Sequence, residues 1–454
     1  MSGERGQPFW GDESGTVDAV LAWTAERVVH SGDPKTTARP ASELAAAAGR
    51  TITPSGIGGA EALRIFDEVL APATRSQDDP MNLAYVPSAP TRSAVAFDLA
   101  TSAANIFGGV WEAGAGAIFA ENEALAWLVD LLGWPSDAGG CFVSGGTTGQ
   151  LSALVAAREA VERRRGARPP NGWALACTQG AHSSVVAAAR VMDVDVVTVE
   201  VDDRGHLTGQ ALATCLDEHP EVFAVVASAG TTNGGVVDDL ADVADVCATY
   251  GTWLHVDGAY GGAALAAPSV RHRFTGIERA DSFIVDPHKW LFAPYDCCAL
   301  LYRNPADGRA AHSQHATYLD SIDRDESNPA DLAMHLSRRV RGLPFWFSLA
   351  THGTQAYTTA VERSLTVAQQ IAAGIEQRDH LRLVLAPELS VLLVERVGWN
   401  AEQYAEWSAR MARDGVILCL PTTWEHRTVL RLIVINPETR ADEVLAALDT
   451  LREG

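Results

Sequence analysis

Through the middle of the chain, apolar residues gather in short, nearly unbroken runs, and between the runs they recur every three or four positions. The runs at 173–177, 194–199, 222–227, 252–257, 282–285 and 298–302 lack the alternation of a half-exposed sheet, which predicts strands covered on both faces. The stretches between them, at 182–192, 209–218 and 238–250, carry the spacing of amphipathic helices. Upstream, a helical pattern at 121–132 leads to Cys141-Phe142-Val143, then to Ser144-Gly145-Gly146-Thr147-Thr148 and a helix at 150–164. Strand and helix in alternation predict an α/β fold on a mostly parallel sheet.

The pattern changes at both ends. Residues 14–30 and 59–71 read as helices with no strand between them, and segment 1–75 is expected to be a helical arm that packs on a second subunit. Segment 76–350 holds the sheet. Within it, 303–342 is polar and rich in His and Asp, the profile of a long functional loop or lid. Beyond it, helices at 345–363, 366–377 and 441–452 mix with strands at 381–385, 391–395, 416–420 and 429–435. This predicts a smaller α+β unit over 351–454.

The net charge of −22 argues against a nucleic-acid partner, whose phosphates demand basic patches. Seven cysteines, odd in number and without a CxxC pair or zinc-ligand spacing, suit buried thiols in a reducing compartment and no metal. The first residues lack the apolar core of a secretion signal, and no apolar run reaches membrane-spanning length. The expectation is a soluble, cytoplasmic protein with no membrane partner.

Lysine usage narrows the chemistry. Of 35 lysines and arginines only two are lysine, Lys35 and Lys289. Arginine stays charged near neutral pH, whereas a lysine in apolar surroundings can lose its proton and attack a carbonyl. Lys289 stands in Asp286-Pro287-His288-Lys289-Trp290, just after a strand, a setting that would free its amine. An ion-paired structural lysine is the alternative.

Parallel sheets bind ligands at the carboxyl ends of their strands, and three more candidates lie there. Ser144–Thr148 opens a helix whose free N–H groups and small residues suit a phosphate, although ordinary capping would use the same residues. Neither a Walker lysine pattern nor GxGxxG is present at this turn. Asp257, in His255-Val256-Asp257-Gly258-Ala259-Tyr260, ends an apolar strand and needs a cation, such as a protonated pyridine nitrogen, or else caps the next turn. His182, in Ala181-His182-Ser183-Ser184, suits ring stacking or proton transfer, or is a satisfied, partly buried histidine.

In this order the segments resemble the pyridoxal-phosphate-dependent group II amino acid decarboxylases, which include the aromatic-amino-acid, histidine, glutamate and diaminobutyrate enzymes. Ala229-Gly230-Thr231-Thr232, Leu336-Ser337-Arg338-Arg339 and Phe345-Trp346-Phe347 carry the likeness further, from about Tyr85 to Arg431. The resemblance implies a fold-type I (aspartate aminotransferase-like) architecture and a homodimer with shared active sites. It implies pyridoxal 5'-phosphate held as an aldimine on Lys289, with Asp257 at the pyridinium nitrogen and His182 over the ring. Thr147, Thr148 and His288 would hold the phosphate; Thr231, Thr232 and Ala259 would line the ring. Tyr318 resembles the lid-loop tyrosine that returns a proton to Cα after CO2 leaves.

α-Decarboxylation of an L-amino acid or amino-acid-like intermediate is therefore expected. Decarboxylation coupled to oxidative deamination, or β-elimination such as C–S cleavage, would use the same cofactor, and a non-catalytic α/β binding protein is the remaining class. Gly109 stands where aromatic decarboxylases present a pocket phenylalanine, and Gly114-Ala115-Gly116 replaces a Ser-Pro-Ala-like turn. Both suggest a roomier pocket. Arg431 is a candidate for the substrate carboxylate or for a structural pair with an acid, and His312 and His315 read as solvated loop residues.

Overall fold

The computed structural model describes residues 14–30, 37–313 and 326–453. Seven strands form the main sheet: β1 (Gly139–Val143), β2 (Ala174–Thr178), β3 (Asp195–Val199), β4 (Val222–Ser228), β5 (Trp253–Asp257), β6 (Ser282–Val285) and β7 (Cys298–Tyr302), in the order β1-β7-β6-β5-β4-β2-β3. Only β7 runs against its neighbours, so the sheet is mostly parallel, as the unbroken apolar runs predict. Every residue of β4 and of β2 is buried, because helices cover both faces.

Polar side chains fix where those helices begin. His182 accepts from the Ser184 N–H, Thr208 from Ala211 and Asp239 from Asp242, each satisfying a donor that the first helical turn leaves open. The helix Gly146–Arg165 ends on three arginines, Arg163 to Arg165, which suit the negative end of its dipole.

A second, antiparallel sheet, β10 (Leu420–Trp424), β11 (Arg427–Ile433), β9 (Val391–Arg396) and β8 (Leu381–Leu383), follows in that spatial order. It is covered by the helices Thr354–Glu376, Ala401–Arg413 and Ala441–Asp449 and encloses its own core. Leu83 belongs to that core, and its backbone bonds to Leu418 and Ile433. A boundary at residue 351 therefore does not separate the small sheet from everything before it.

Four sequence expectations change. Part of the 303–342 loop is helix: Pro305–His312 is capped by Asn304, with Gly308 against the Tyr302 ring. It buries only Gly308 and His312, too little to leave an apolar stripe in the sequence. His312 is buried and its Nε2 donates to the Ser152 carbonyl at 2.9 Å, so it is no solvated loop residue; His315 lies outside the described residues. The helices expected at 345–363 and 366–377 divide at Gly353 instead. The strand expected at 416–420 lies at Leu420–Trp424, because the buried residues Ile417 to Cys419 precede the segment that pairs with β11.

Candidate active site

Loops at the carboxyl ends of β1, β2, β4, β5 and β6 enclose a cavity of about 320 Å³, within the small-ligand range. Thr147, His182, Thr231, Thr232, Asp257, Ala259, His288 and Lys289 all line it. Five strand ends far apart in sequence thus bring eight of the ten sequence candidates to one place. Thr148 is not among the lining residues; its hydroxyl turns back to Ser144 Oγ at 3.0 Å, closing the first helical turn. Tyr318 lies outside the described residues.

The end of β1 becomes the first turn of Gly146–Arg165, and no preceding helical carbonyl is available to the N–H groups of Gly146 and Thr147. A Cβ on Gly146 would come within 3.2 Å of Asp286 and 3.3 Å of Ala259. Glycine therefore keeps this cradle open. Opposite it, His288 donates from Nδ1 to the Cys297 carbonyl at 2.7 Å, and burial pushes its imidazole below the ordinary range.

Asp257 ends β5 with its carboxylate in the cavity. Burial pushes it up; the Ala259 N–H at 3.0 Å and the charge of Lys289 pull it back only in part. His182 turns Nδ1 to the Ser184 N–H (3.2 Å) and hydroxyl (2.9 Å), which fixes the ring against its own helix. Lys289 Nζ lies 2.9 Å from Asp286 Oδ2. Burial opposes its charge, but Asp286 and then Asp257 outweigh burial and hold the amine above its ordinary range. The apolar setting read from the sequence is thus corrected: Lys289 is partly buried, and it is ion-paired.

Asp286, Tyr260, Ser228, Tyr295 and Asp296 also line the cavity and were not singled out in the sequence. For Asp286 the signal was present, an acid one turn before the lysine. Tyr260 stacks on Trp290 with centroids 5.4 Å apart, a contact made through the fold.

Among the described residues, Gly109 and Gly114 open none of the extra room expected there. A Cβ at Gly109 would run into the Leu336 carbonyl and the Phe107 ring, and one at Gly114 would meet the Phe107 carbonyl. Neither glycine lines the cavity; the chain itself fills the space. Arg431 pairs with no acid among the described residues. It donates from Nε to the Thr232 carbonyl and from Nη2 to the Tyr85 carbonyl, both at 2.8 Å, and burial pushes its guanidinium down to about 10.

The set suits pyridoxal 5'-phosphate: an open helix start with hydroxyls for a phosphate, a carboxylate for a ring nitrogen and an amine for an aldehyde. The Asp286 Oδ1 atom, buried without a hydrogen-bond partner, marks polar capacity that the protein alone leaves unused.

The family profile for the pyridoxal-dependent decarboxylase conserved domain matches residues 62–395. An aromatic-L-amino-acid decarboxylase of Bacillus atrophaeus is 31% identical over 385 residues, 81% of this chain and 79% of that one. An L-2,4-diaminobutyrate decarboxylase of Rhizobium meliloti (strain 1021) is 30% identical over 79% of this chain and 74% of its own. In fold the chain is similar to the crystal structure of Oryza sativa TDC with PLP and tryptamine, with a TM-score of 0.87 and 24% identity over 97% of this chain and 96% of that one. Rhodiola rosea 4-hydroxyphenylacetaldehyde synthase also aligns, with a TM-score of 0.87 at 20% identity over 97% of each chain.

Proposed function

The chain belongs to the pyridoxal-dependent decarboxylase family and is a pyridoxal 5'-phosphate-dependent carboxy-lyase; on that premise we propose that it decarboxylates an L-amino acid with an aromatic side chain. The relative of Bacillus atrophaeus supports the substrate class, as do the half-exposed Tyr295 ring at the cavity and the loss of the extra room once read at Gly109. A short cationic substrate is the second reading, favoured by the Asp296 carboxylate on the cavity wall. The observation that carries the site assignment is that Lys289 and Asp257 line one cavity.

When bound, the cofactor supplies an aldehyde for an amine and a protonated ring that accepts the electron pair left as CO2 departs. Lys289 binds the aldehyde carbon through Nζ. Asp257 holds the proton on the ring nitrogen, and His182 keeps the ring face covered. Thr147 and His288 orient the phosphate at the helix start, while Thr231, Thr232 and Ala259 border the ring. Tyr318 carries the proton returned to Cα.

Three measurements test this. Purified protein has a visible absorbance that borohydride bleaches, and Lys289→Arg lacks it; an active variant with unchanged absorbance would sink the assignment. CO2 release from a panel of aromatic amino acids, histidine and 2,4-diaminobutyrate decides the substrate. Tyr318→Phe shifts products from amine towards aldehyde and peroxide, and an unchanged amine yield removes the tyrosine from the mechanism.

The proposal extends to a cytoplasmic homodimer with shared sites. The helix Ser14–Val29 buries none of its residues, and Val17, Leu21 and Val29 on it are exposed, which supports an arm that closes on a second copy. Seven free thiols support a reducing compartment. Among the described residues no helix is long and apolar enough to cross a membrane. Light scattering that reports a monomer at micromolar concentration would remove the dimer.

A further inference from the structure

Two carboxylates flank Lys289, and the scheme above uses only Asp257. Asp286 is 2% exposed. One of its oxygens lies 2.9 Å from Lys289 Nζ and 3.7 Å from His288 Nε2, and the other has no hydrogen-bond partner among the described residues. The backbone locks the pair. The Asp286 N–H donates to the Ala259 carbonyl at 3.1 Å and its carbonyl accepts from the Lys289 N–H at 2.9 Å, so acid and amine face each other across one turn. A buried carboxylate persists only with a cation beside it. Removing the amine's proton would strand the Asp286 charge.

We propose that Asp286 is a positioning residue that keeps Lys289 an ammonium whenever its nitrogen is not bonded to the cofactor. The proposal rests on the cofactor assignment above. An amino acid arrives as an ammonium and would give up two protons as its nitrogen forms a double bond to the cofactor carbon, keeping the third. The Lys289 nitrogen, which carries one proton while bonded to that carbon, would take up those two as its own double bond breaks, and Asp286 faces the ammonium that results. A neutral amine beside the substrate is a base that can remove the Cα proton; an ammonium is not. Decarboxylation breaks the bond from Cα to the carboxylate and keeps the C–H bond, so the pair guards the outcome.

The other groups facing Lys289 leave this balance intact. Burial keeps the Cys298 thiol and the Tyr295 hydroxyl protonated by pushing both up, and keeps His288 neutral by pushing it down. Asp257 acts in the same sense as Asp286.

With only two lysines in the chain, one serves as the reference for the other. Full-length protein stripped of cofactor is acetylated with limiting acetic anhydride over a pH series, and each lysine is scored by mass spectrometry. The midpoint is read because access to the cavity scales the rate alike at every pH. The expected result is a Lys289 midpoint above that of Lys35, falling by about one unit or more in Asp286→Asn, tenfold in free amine. Asp286→Glu keeps it above Lys35. Loaded Asp286→Asn turning over in D2O returns unreacted substrate carrying deuterium at Cα. A wild-type midpoint at or below that of Lys35, or no movement in Asp286→Asn, overturns the proposal. If Asp286→Asn does not fold, the wild-type and Asp286→Glu midpoints decide. Failure of the cofactor assignment is read separately, as missing borohydride-sensitive absorbance in the wild type.

Discussion

The rim of the seven-stranded sheet and the face of the four-stranded sheet meet beside the same cavity and do different work. Every lining residue lies between Ser144 and Asp296, at the strand ends of the large sheet. The small sheet and the segment leading into it contribute none, yet they grip the loops that do. Arg431 holds the Thr232 carbonyl, and Thr422 Oγ1 donates to Asn233 Oδ1 at 2.8 Å. Ser390 Oγ meets the Tyr260 hydroxyl at 2.6 Å. Glu388 accepts from His206 Nε2 at 2.7 Å and from the Val237 N–H at 3.0 Å, with Arg204 and Arg273 at 3.2 and 3.8 Å. Chemistry belongs to one sheet and aim to the other.

Substitutions can break this division or sharpen it. The largest effect is expected at Lys289→Ala, which should lower kcat by more than about 10⁴-fold, the scale seen when a covalent nucleophile is removed, and should also lower the melting temperature, because the buried Asp286 carboxylate loses its cation. Asp257→Asn comes next, with about 10²–10³-fold lost from kcat and little change in KM. Arg431→Met strands two carbonyls and should cost about 3 kcal/mol of stability, and it should raise KM more than it lowers kcat. A kcat loss as large as that of Asp257→Asn would place Arg431 in the chemistry and dissolve the distinction.

The smallest effect is a pH window. His206 is raised to about 9 by Glu388 and, against burial, by Asp202. Its contribution is therefore complete below the ordinary histidine range and is lost as pH rises through about 9. Glu388 is lowered: burial alone would raise it, but His206 and the Val237 N–H outweigh burial. Its share is present above the ordinary carboxylate range and is lost as pH falls through its depressed value. About 1–2 kcal/mol should follow this profile, allowing for solvent screening. Thermal melts of wild type and Glu388→Gln over pH 5–10 check it, and parallel curves would show that the grip is not ionic.

The large sheet was legible in the sequence because its strands are apolar throughout and its ligand groups stand at their ends. Asp257, His182 and Lys289 could be placed for that reason. The helix Pro305–His312 was not, since it buries two residues and shows no stripe. Gly109 was misread because a missing side chain implies space only when nothing else fills it, and Phe107 and Leu336 fill it through contacts unrelated to chain order. Asp286 was visible as a residue, but its partner was not, because proximity to Lys289 alone does not say which way a buried balance tips. Arg431 offered the same ambiguity, and the fold resolved it towards backbone carbonyls.

All seven cysteines are free and buried, six in the large-sheet half of the chain and Cys419 in the core of the small sheet. Burial pushes the thiols of both Cys177 and Cys419 up, to about 11 and about 12, so neither reacts while its surroundings stay closed. Each sulfur is thus a silent clock for the shell around it. The rate at which a disulfide reagent reaches Cys419, set against Cys177, would time the opening of one sheet relative to the other without any added probe.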